Sequence, residues 1–331
     1  MEALVDVSVL ILFFNRPEQL GKVFDEVRKA RPARLFLYQD GPRDERDMPG
    51  IMACRKVVED IDWECEVHTK YQEKNYGCDP SEFISQRWAF SLTDKCVVLE
   101  DDDVPSVSFF RFCKEMLDKY EHDTRITHIS GFNTDEVTKD ITDSYFFSRA
   151  FSIWGWASWA RVVNKWDGDY GFVKDPQQFE LLKRKVREHR LRSDMPAMCA
   201  AHASRGKEYY ETIFWAYMTL NEGMCIIPRV NLINNIGMEG GAHYSAQLNL
   251  LPRRLRKQFT MKRHEMDFPL VHPTEVKEYP AYQKRYHLMN AWDNPCRKVQ
   301  YSIEEFCLNL MAGNFGNIAS AIKKRIRKTL R

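Results

Sequence analysis

Four consecutive carboxylates, Glu100, Asp101, Asp102 and Asp103, follow directly on the apolar run Val97, Val98 and Leu99. Like charges this close repel one another, so the run is costly unless a cation or open solvent meets it. Hard divalent cations such as Mn2+ or Mg2+ bind through one or two carboxylates together with substrate phosphates. A cluster of this kind can aim one or two members at a shared ion while the others hold ribose hydroxyls or backbone. The bland alternative is a solvated acidic turn, which is what most charge runs are. An EF-hand calcium loop is excluded, because no glycine stands at its sixth position and no glutamate at its twelfth. Position favours the metal, since the carboxylates close an apolar core strand at the end where α/β sheets bind ligands.

Other polar groups sit at equivalent places. Asn15 and Arg16 follow "VSVLILFF" (7–14), Asp40 and Gly41 close "RLFLYQDG" (34–41), and Asn75, Tyr76 and Gly77 close "CEVHTKYQEKNYG" (65–77). A guanidinium there can meet a base edge or a phosphate, and Asp40 can accept from a base N–H or a ribose hydroxyl. Asp40-Gly41-Pro42 is equally a plain turn signal. Trp154, Trp156, Trp159 and Trp166 surround Gly155 in "FSIWGWASWARVVNKWD" (151–167). Two of them are expected in the core, while Trp154 or Trp156 could stack on a sugar, with Gly155 permitting close backbone approach. Glu211 lies in the helical pattern "KEYYETIFWAYM", and a carboxylate among aromatics suits a general base. A partly exposed helix glutamate fits the local sequence equally well. His243 follows a glycine-rich turn; it is a candidate metal ligand, although a lone histidine usually is not one.

These residues need a scaffold. The continuous apolar run 7–14 is the signature of a strand covered on both faces in a parallel sheet. Pro17 fits a first helical turn, Leu20, Val23, Phe24 and Val27 share one helix face, and Pro32 closes the segment. Segments 34–41 and 65–77 read as the second and third strands and "CVVLEDDD" as the fourth. Ser81 is expected to cap a helix carrying Ile84, Trp88 and Leu92. A later helix carries Phe109, Phe110, Cys113, Met116, Leu117 and Tyr120 on one side. Alternation of strand and helix argues for an α/β layered domain with right-handed crossovers. Beyond residue 151 the pattern predicts two or three helices through about 222 and a strand over 225–237. From about residue 246 the composition turns basic and proline-bearing, so the reading is a core domain over 1–245 and an extension over 246–331.

The chain has 331 residues, 44% hydrophobic and 29% charged, with a net charge of +2. That is ordinary globular composition, and it makes no global case for nucleic acid or membrane. Nine cysteines form an odd set without a CxxC pair. They read as reduced packing residues of a cytoplasmic protein, not as a disulfide frame or zinc site. The N-terminal apolar run is too short to span a membrane and lacks a basic flank, so it reads as a strand and not a signal peptide.

Taken together, "LEDDDVPSVSFFRFCKEML", "ITHISGFN", "FSRAFSIWGWASWAR" and "PRVNLINNIG" resemble bacterial GT-A-fold glycosyltransferases, relatives of N-acetylglucosaminyltransferase I. The likeness runs from about residue 7 to 243. It implies a nucleotide-sugar-binding α/β sandwich with a mainly parallel sheet and helices on both faces. It further implies that Asn15, Arg16, Asp40 and the Asn75–Gly77 loop contact the nucleotide, and that Asp102 binds Mn2+ or Mg2+ through the diphosphate. Glu100 and Asp101 would then serve ribose and donor sugar. The family's catalytic carboxylate follows a Trp; here the slot reads Tyr210-Glu211, which makes Glu211 the base. His243 matches a histidine near the metal or diphosphate. The reaction implied is a single displacement with inversion from a nucleotide-sugar, UDP by resemblance, to a glycan or lipid-linked acceptor.

Two rival functions stand beside it. A metal-dependent nucleotidyltransferase or pyrophosphatase-type enzyme would carry a glycine-rich phosphate loop after the first strand, where this chain reads "FFNRPEQ". A non-catalytic nucleotide- or glycan-binding protein would be indifferent to loss of Glu211. The tail "NIASAIKKRIRKTLR" (317–331) reads as a basic amphipathic helix suited to the inner membrane face, or as a frayed solvated terminus. No RNA-binding motif accompanies the charge, so nucleic acid is not an expected partner.

Overall fold

The computed structural model describes residues 1–188, 191–238 and 248–320. Ten strands are present among them: β1 Val5–Phe13, β2 Pro32–Gln39, β3 Glu66–Tyr71, β4 Lys95–Glu100, β5 Asp103–Pro105, β6 Ile126–Ser130, β7 Tyr145–Ser148, β8 Trp156–Trp159, β9 Met224–Pro228 and β10 Ile233–Asn235. Helices α1 Pro17–Ala30, α2 Met48–Glu59, α3 Cys78–Leu92 and α4 Val107–Lys119 alternate with the first strands. The short α5 Ala160–Val163 and α6 Gly171–Lys174 lead to α7 Pro176–Lys185, α8 Leu191–Ala203 and α9 Tyr210–Leu220. Three more helices follow: α10 Arg253–Thr260, α11 Pro280–Met289 and α12 Pro295–Met311.

Eight strands form one sheet in the order β3-β2-β1-β4-β8-β6-β9-β7. β3, β2, β1 and β4 run parallel, and β8 is antiparallel to both its neighbours. β6 and β9 run parallel to each other, and β7 closes the edge antiparallel to β9. β1 lies mid-sheet with Val7 to Phe13 all buried, as its unbroken apolar run requires. Two apolar cores, one on each face, are covered by helices: Leu20, Val23, Phe24 and Val27 of α1 pack one side, and Phe214 and Ile213 of α9 the other. This is the α/β layered architecture, mainly parallel and helix-flanked, that the sequence predicts.

The differences are local and have causes. β3 ends at Tyr71, short of the predicted 77, because Asp40 draws the amides of Tyr76 and Gly77 out of the sheet. α3 begins at Cys78, after Gly77 at φ +87°, so Ser81 is a buried helix residue and not a cap. Its buried face carries Ser81, Glu82, Ser85, Gln86, Ala89 and Phe90, whereas Ile84 and Trp88 are half-buried and Leu92 is exposed. The predicted strand 225–237 is two strands in different sheets. The chain breaks between them because buried Asn231 bonds back to the carbonyl of Ile233 (2.7 Å) and accepts the amide of Asn133 (3.1 Å). Helix α2 and the strap β5–β10 are absent from the sequence reading.

The stretch from about residue 253 is built into this body. Arg263 bonds Glu26 (3.0 Å) and the carbonyl of Pro105 (2.8 Å), Tyr279 donates its amide to Phe147 (2.8 Å), and Met261, Met266, Tyr282 and Ala291 are buried. All nine cysteines are free, five of them buried; burial pushes the Cys54 thiol up to about 12. Among the described residues no helix is long and apolar enough to cross a membrane.

Candidate functional site

The strand ends of β1, β2 and β4 bring Arg16, Asp40 and the carboxylate run to one rim. Asp101 and Asp102 are buried, and both are held by Arg16, whose side chain crosses from the loop after β1. Its Nε donates to Asp101 Oδ2 (3.2 Å) and its Nη2 to Asp101 Oδ1 and to Asp102 Oδ2 (2.9 Å). The first cation of the cluster is therefore a residue of the chain. Burial works against the charge of Arg16, yet Asp101 and Asp102 hold its guanidinium above the ordinary value. Burial pushes Asp101 up to about 6 against the pull of Arg16, with Asp102 adding repulsion. Arg16 Nη1 is buried without a hydrogen-bond partner among the described residues.

The strap β5–β10 fixes the other side. Asn235 stands opposite Asp103 in register and donates to both Asp102 Oδ1 and Asp103 Oδ1, each at 3.1 Å. Asp103 is fully buried and also accepts the amide of Gly155 (2.9 Å), so it ties the strap to the start of β8. A Cβ on Gly237 would collide with Asp102 Oδ2, so only glycine lets the chain pass that carboxylate. The side chain of Glu100, half-buried at the end of β4, makes no hydrogen bond among the described residues. Burial and the charges of Glu82, Asp103, Asp102 and Asp101 hold its carboxyl well above the usual range.

Asp40 is held by hydrogen bonds within the fold. Oδ1 accepts the amides of Gly41 and Tyr76, both at 2.9 Å; Oδ2 accepts Asn75 Nδ2 (2.9 Å) and the amide of Gly77 (3.0 Å). Four donors engage the carboxylate, which organises the 75–77 loop as a rim wall. Asn75 also donates to the carbonyl of Gly41 (2.9 Å), and a Cβ on Gly41 would lie 2.5 Å from the Lys74 backbone. Asp40→Asn is expected to cost about 2–3 kcal/mol, because an amide cannot accept from every one of these N–H groups. Denaturant unfolding, with faster hydrogen exchange at Tyr76 and Gly77, measures it; unchanged stability and exchange would refute the loop-organising role. Asn15 likewise spends its amide within the fold, on Asp47 (2.9 Å).

The tryptophans separate cleanly. Trp156, Trp159 and Trp166 are core residues at 1%, 2% and 5% exposure. Trp156 stacks on His128 and Phe214 with ring centres 5.3 and 6.0 Å apart, which leaves it no face for a ligand. Trp154 is half-buried and lines a cavity of about 380 Å3. Gly155, at φ +54°, serves packing: a Cβ there would strike Ile233 of β10.

Glu211, in the first turn of α9, lines the same cavity beside Thr212, Trp215, Phe151 and Tyr286. Tyr286 comes from α11 and donates its hydroxyl to the carbonyl of Phe151 (2.7 Å), so a residue beyond 246 helps build the wall. The link from this cavity to the rim is Glu82, which the sequence reading missed. Burial first, then repulsion from Glu211 and Asp79, holds the Glu82 carboxyl well above its usual range. Glu82 also exerts the strongest charge repulsion on Glu100. Glu82 thus lies within electrostatic reach of Glu211 in the cavity wall and of Glu100 and Asp102 at the rim. Tyr210 faces the same field, with its hydroxyl buried and unpartnered among the described residues.

For a cation, the described residues contain no three His, Cys, Asp or Glu side chains that converge on one point. His243 lies outside the described residues. Asp102, cradled by Gly237 beside a buried unpartnered N–H of Arg16, fits a hard divalent ion whose other ligands are phosphate oxygens and water.

No protein-family model matches the chain, and no curated protein matches it. Solved structures do. Mouse xyloside xylosyltransferase 1 in its apo form aligns over 81% of this chain and 100% of its own, at 10% identity and TM-score 0.36. The 4-diphosphocytidyl-2C-methyl-D-erythritol synthase of Anaerococcus prevotii DSM 20548 aligns over 65% of this chain and 98% of its own, at 11% identity and TM-score 0.31. Likenesses this distant say nothing about individual residues of the site.

Proposed function

We propose that the protein is an inverting, metal-dependent glycosyltransferase. It moves a sugar from a nucleotide-sugar, a UDP-sugar on the sequence resemblance, to a hydroxyl of a glycan or lipid-linked acceptor. The observation that carries this reading is that one buried carboxyl, Glu82, feels the charges of both Asp102 at the Arg16 rim and Glu211 in the wall of the aromatic cavity.

The nucleotide lies along the strand ends, against the wall that Asp40 and the 75–77 loop build. The free Nη1 of Arg16 donates to a diphosphate oxygen. Asp102 would hold Mn2+ or Mg2+, which supplies neutralising charge for the departing diphosphate. Glu100 and Asp101 line the place of the ribose and donor sugar. The acceptor enters the cavity and stacks a ring face on Trp154 or Phe151. Glu211 takes the acceptor hydroxyl proton as that oxygen bonds to the anomeric carbon. The bond from that carbon to the phosphate oxygen breaks, its electron pair leaves with the diphosphate, and attack from the opposite face inverts the centre. Glu82, holding its own proton, keeps a second negative charge away from the base.

The test is calorimetric binding of UDP, GDP and CDP, each with and without Mn2+, to the wild type and to Asp102→Ala. One nucleotide is expected to bind only with Mn2+, and Asp102→Ala to weaken it at least about tenfold, about 1.4 kcal/mol. Absence of binding by every nucleotide under every condition would overturn the proposal.

A further inference from the structure

Exposed large apolar side chains on this molecule are not scattered. Of the fourteen among the described residues, six fall between Val299 and Phe315. Val299, Ile303, Phe306 and Leu310 are 58%, 56%, 47% and 48% exposed. Their spacing of four, three and four residues puts them in one stripe along α12. At 1.5 Å per residue, the stripe from Val299 to Leu310 runs about 17 Å along the 17-residue helix. Asn294 caps its start by accepting the amide of Cys296 (2.8 Å), and the hydroxyl of Tyr301 donates to the carbonyl of Met289 (3.0 Å), which ties α12 to α11.

Basic groups border the stripe. A groove between α10 and α12 is lined by Arg253, Arg254, Arg297 and Tyr301, and Ile303 of the stripe forms its edge. Arg253, Arg254 and Lys257 of α10 and Lys298 of α12 are exposed and form no ion pair among the described residues. The acids nearby are Asp293, which pairs with Arg297 (3.1 Å), Glu304, whose carboxylate accepts the amide of Arg253 (2.8 Å), and the exposed Glu305. Further along the sequence come Lys323, Lys324, Arg325, Arg327, Lys328 and Arg331, outside the described residues.

We propose that the outer face of α12, with the basic border supplied by α10, docks on an anionic lipid bilayer. An apolar stripe flanked by Lys and Arg lies in a membrane interface, burying its apolar side chains while its cations meet anionic headgroups. Charge complementarity decides the occupant. A second copy of this chain would bring the same unpaired arginines and lysines against these, whereas an anionic surface neutralises them. None of the stripe or border residues named lines the cavity of Glu211, to which α10 contributes Gln258 instead, so the inference stands or falls independently of the transferase reading.

Cosedimentation of the full chain with vesicles tests it, using phosphatidylcholine alone and phosphatidylcholine with one quarter phosphatidylglycerol. Binding is expected to the anionic vesicles, and at least about tenfold weaker to neutral ones or in high salt. The double substitution Ile303→Asp with Phe306→Asp is expected to lower partition at least about tenfold. Both side chains are exposed, so the melting temperature should not change. Arg253→Glu with Arg254→Glu should weaken binding to anionic vesicles while leaving the weak neutral binding unaltered. Failure of the wild type to bind anionic vesicles overturns the proposal. So does undiminished binding by the double aspartate variant, which would assign the interaction to the basic tail alone. A dimer in light scattering that the aspartates split would assign the stripe to a second copy.

Discussion

Glu211→Gln is expected to bind nucleotide as the wild type does and to transfer sugar about 10^2- to 10^4-fold more slowly. The substitution keeps the shape of the side chain in the cavity wall and removes its ability to take a proton. Glu211 stands in the first turn of α9, where the positive end of the helix favours a negative side chain. Its carboxylate neighbour Glu82 is held well above the usual range, chiefly by burial. In the proposed mechanism Glu82, kept neutral, adds no second negative charge beside the base. Glu211→Asp, one methylene shorter, should retain part of the rate because the function is kept and only the reach is lost. The measurement is release of nucleoside diphosphate from whichever nucleotide-sugar calorimetry selects, in single turnover, with binding titrated in parallel. A rate within tenfold of wild type would remove Glu211 from the role of base, and intact binding would show that the rim is unaffected.

The rim was legible because its signals are one-dimensional. A run such as Val7 to Phe13 has to be covered on both faces, and polar residues just past such runs share one edge of the sheet. That reasoning places Arg16, Asp40 and Asp101–Asp102 together without knowing a single contact. It does not say which group spends itself inside the fold. Asp40 and Asn15 have the residue types of ligand groups, yet their hydrogen bonds go to the 75–77 loop and to Asp47, a choice made by chain segments distant in sequence. Trp156 and Trp154 are two residues apart on opposite sides of a chain that enters β8 only at Trp156. Which one is buried depends on where β8 starts, and boundaries of that kind are set by tertiary packing.

Glu82 was invisible for a more instructive reason. Helical periodicity seeks apolar residues, and Ile84, Trp88 and Leu92 supply a plausible stripe. The structure exposes Leu92, leaves Ile84 and Trp88 half-buried at the edge of the core, and buries Ser81, Glu82, Ser85 and Gln86 more deeply. A helix normally buries its apolar face, so burial of the polar one needs a compensating site next to it. Here the first turns of α3 border the carboxylate field; Ala89 and Phe90, its core residues, come in the last turns, with Phe83, Ile84 and Trp88 packed partly against the same core. Polar residues at i, i+1, i+4 and i+5 after a glycine-closed rim loop were the available signal.

Arg16→Gln is expected to be the most destabilising single change at the rim, about 3 kcal/mol near neutral pH. The wild-type guanidinium, largely buried, bridges Asp101 and Asp102; without it two buried carboxylates face Asp103 and Glu100 uncompensated. The loss must depend on pH in a definite sense. Asp101 in the folded protein already sits at about 6, above the ordinary carboxylate value near 4, and removing Arg16 raises it further. A carboxyl raised by folding contributes its stability below the ordinary value and loses it as pH climbs through the folded one. The Arg16→Gln deficit should therefore be small near pH 4.5 and grow steadily through pH 6 to 8, as read from denaturant midpoints across that range. A deficit independent of pH would mean that Arg16 acts by packing alone, and no deficit at all would make the cluster a solvated turn. Addition of Mn2+ with the preferred nucleoside diphosphate should restore part of the loss in proportion to RT ln(1 + [L]/Kd). On the proposed function Arg16 holds Asp101 and Asp102 while the site is at rest and would share Asp102 with the cation that the substrate brings.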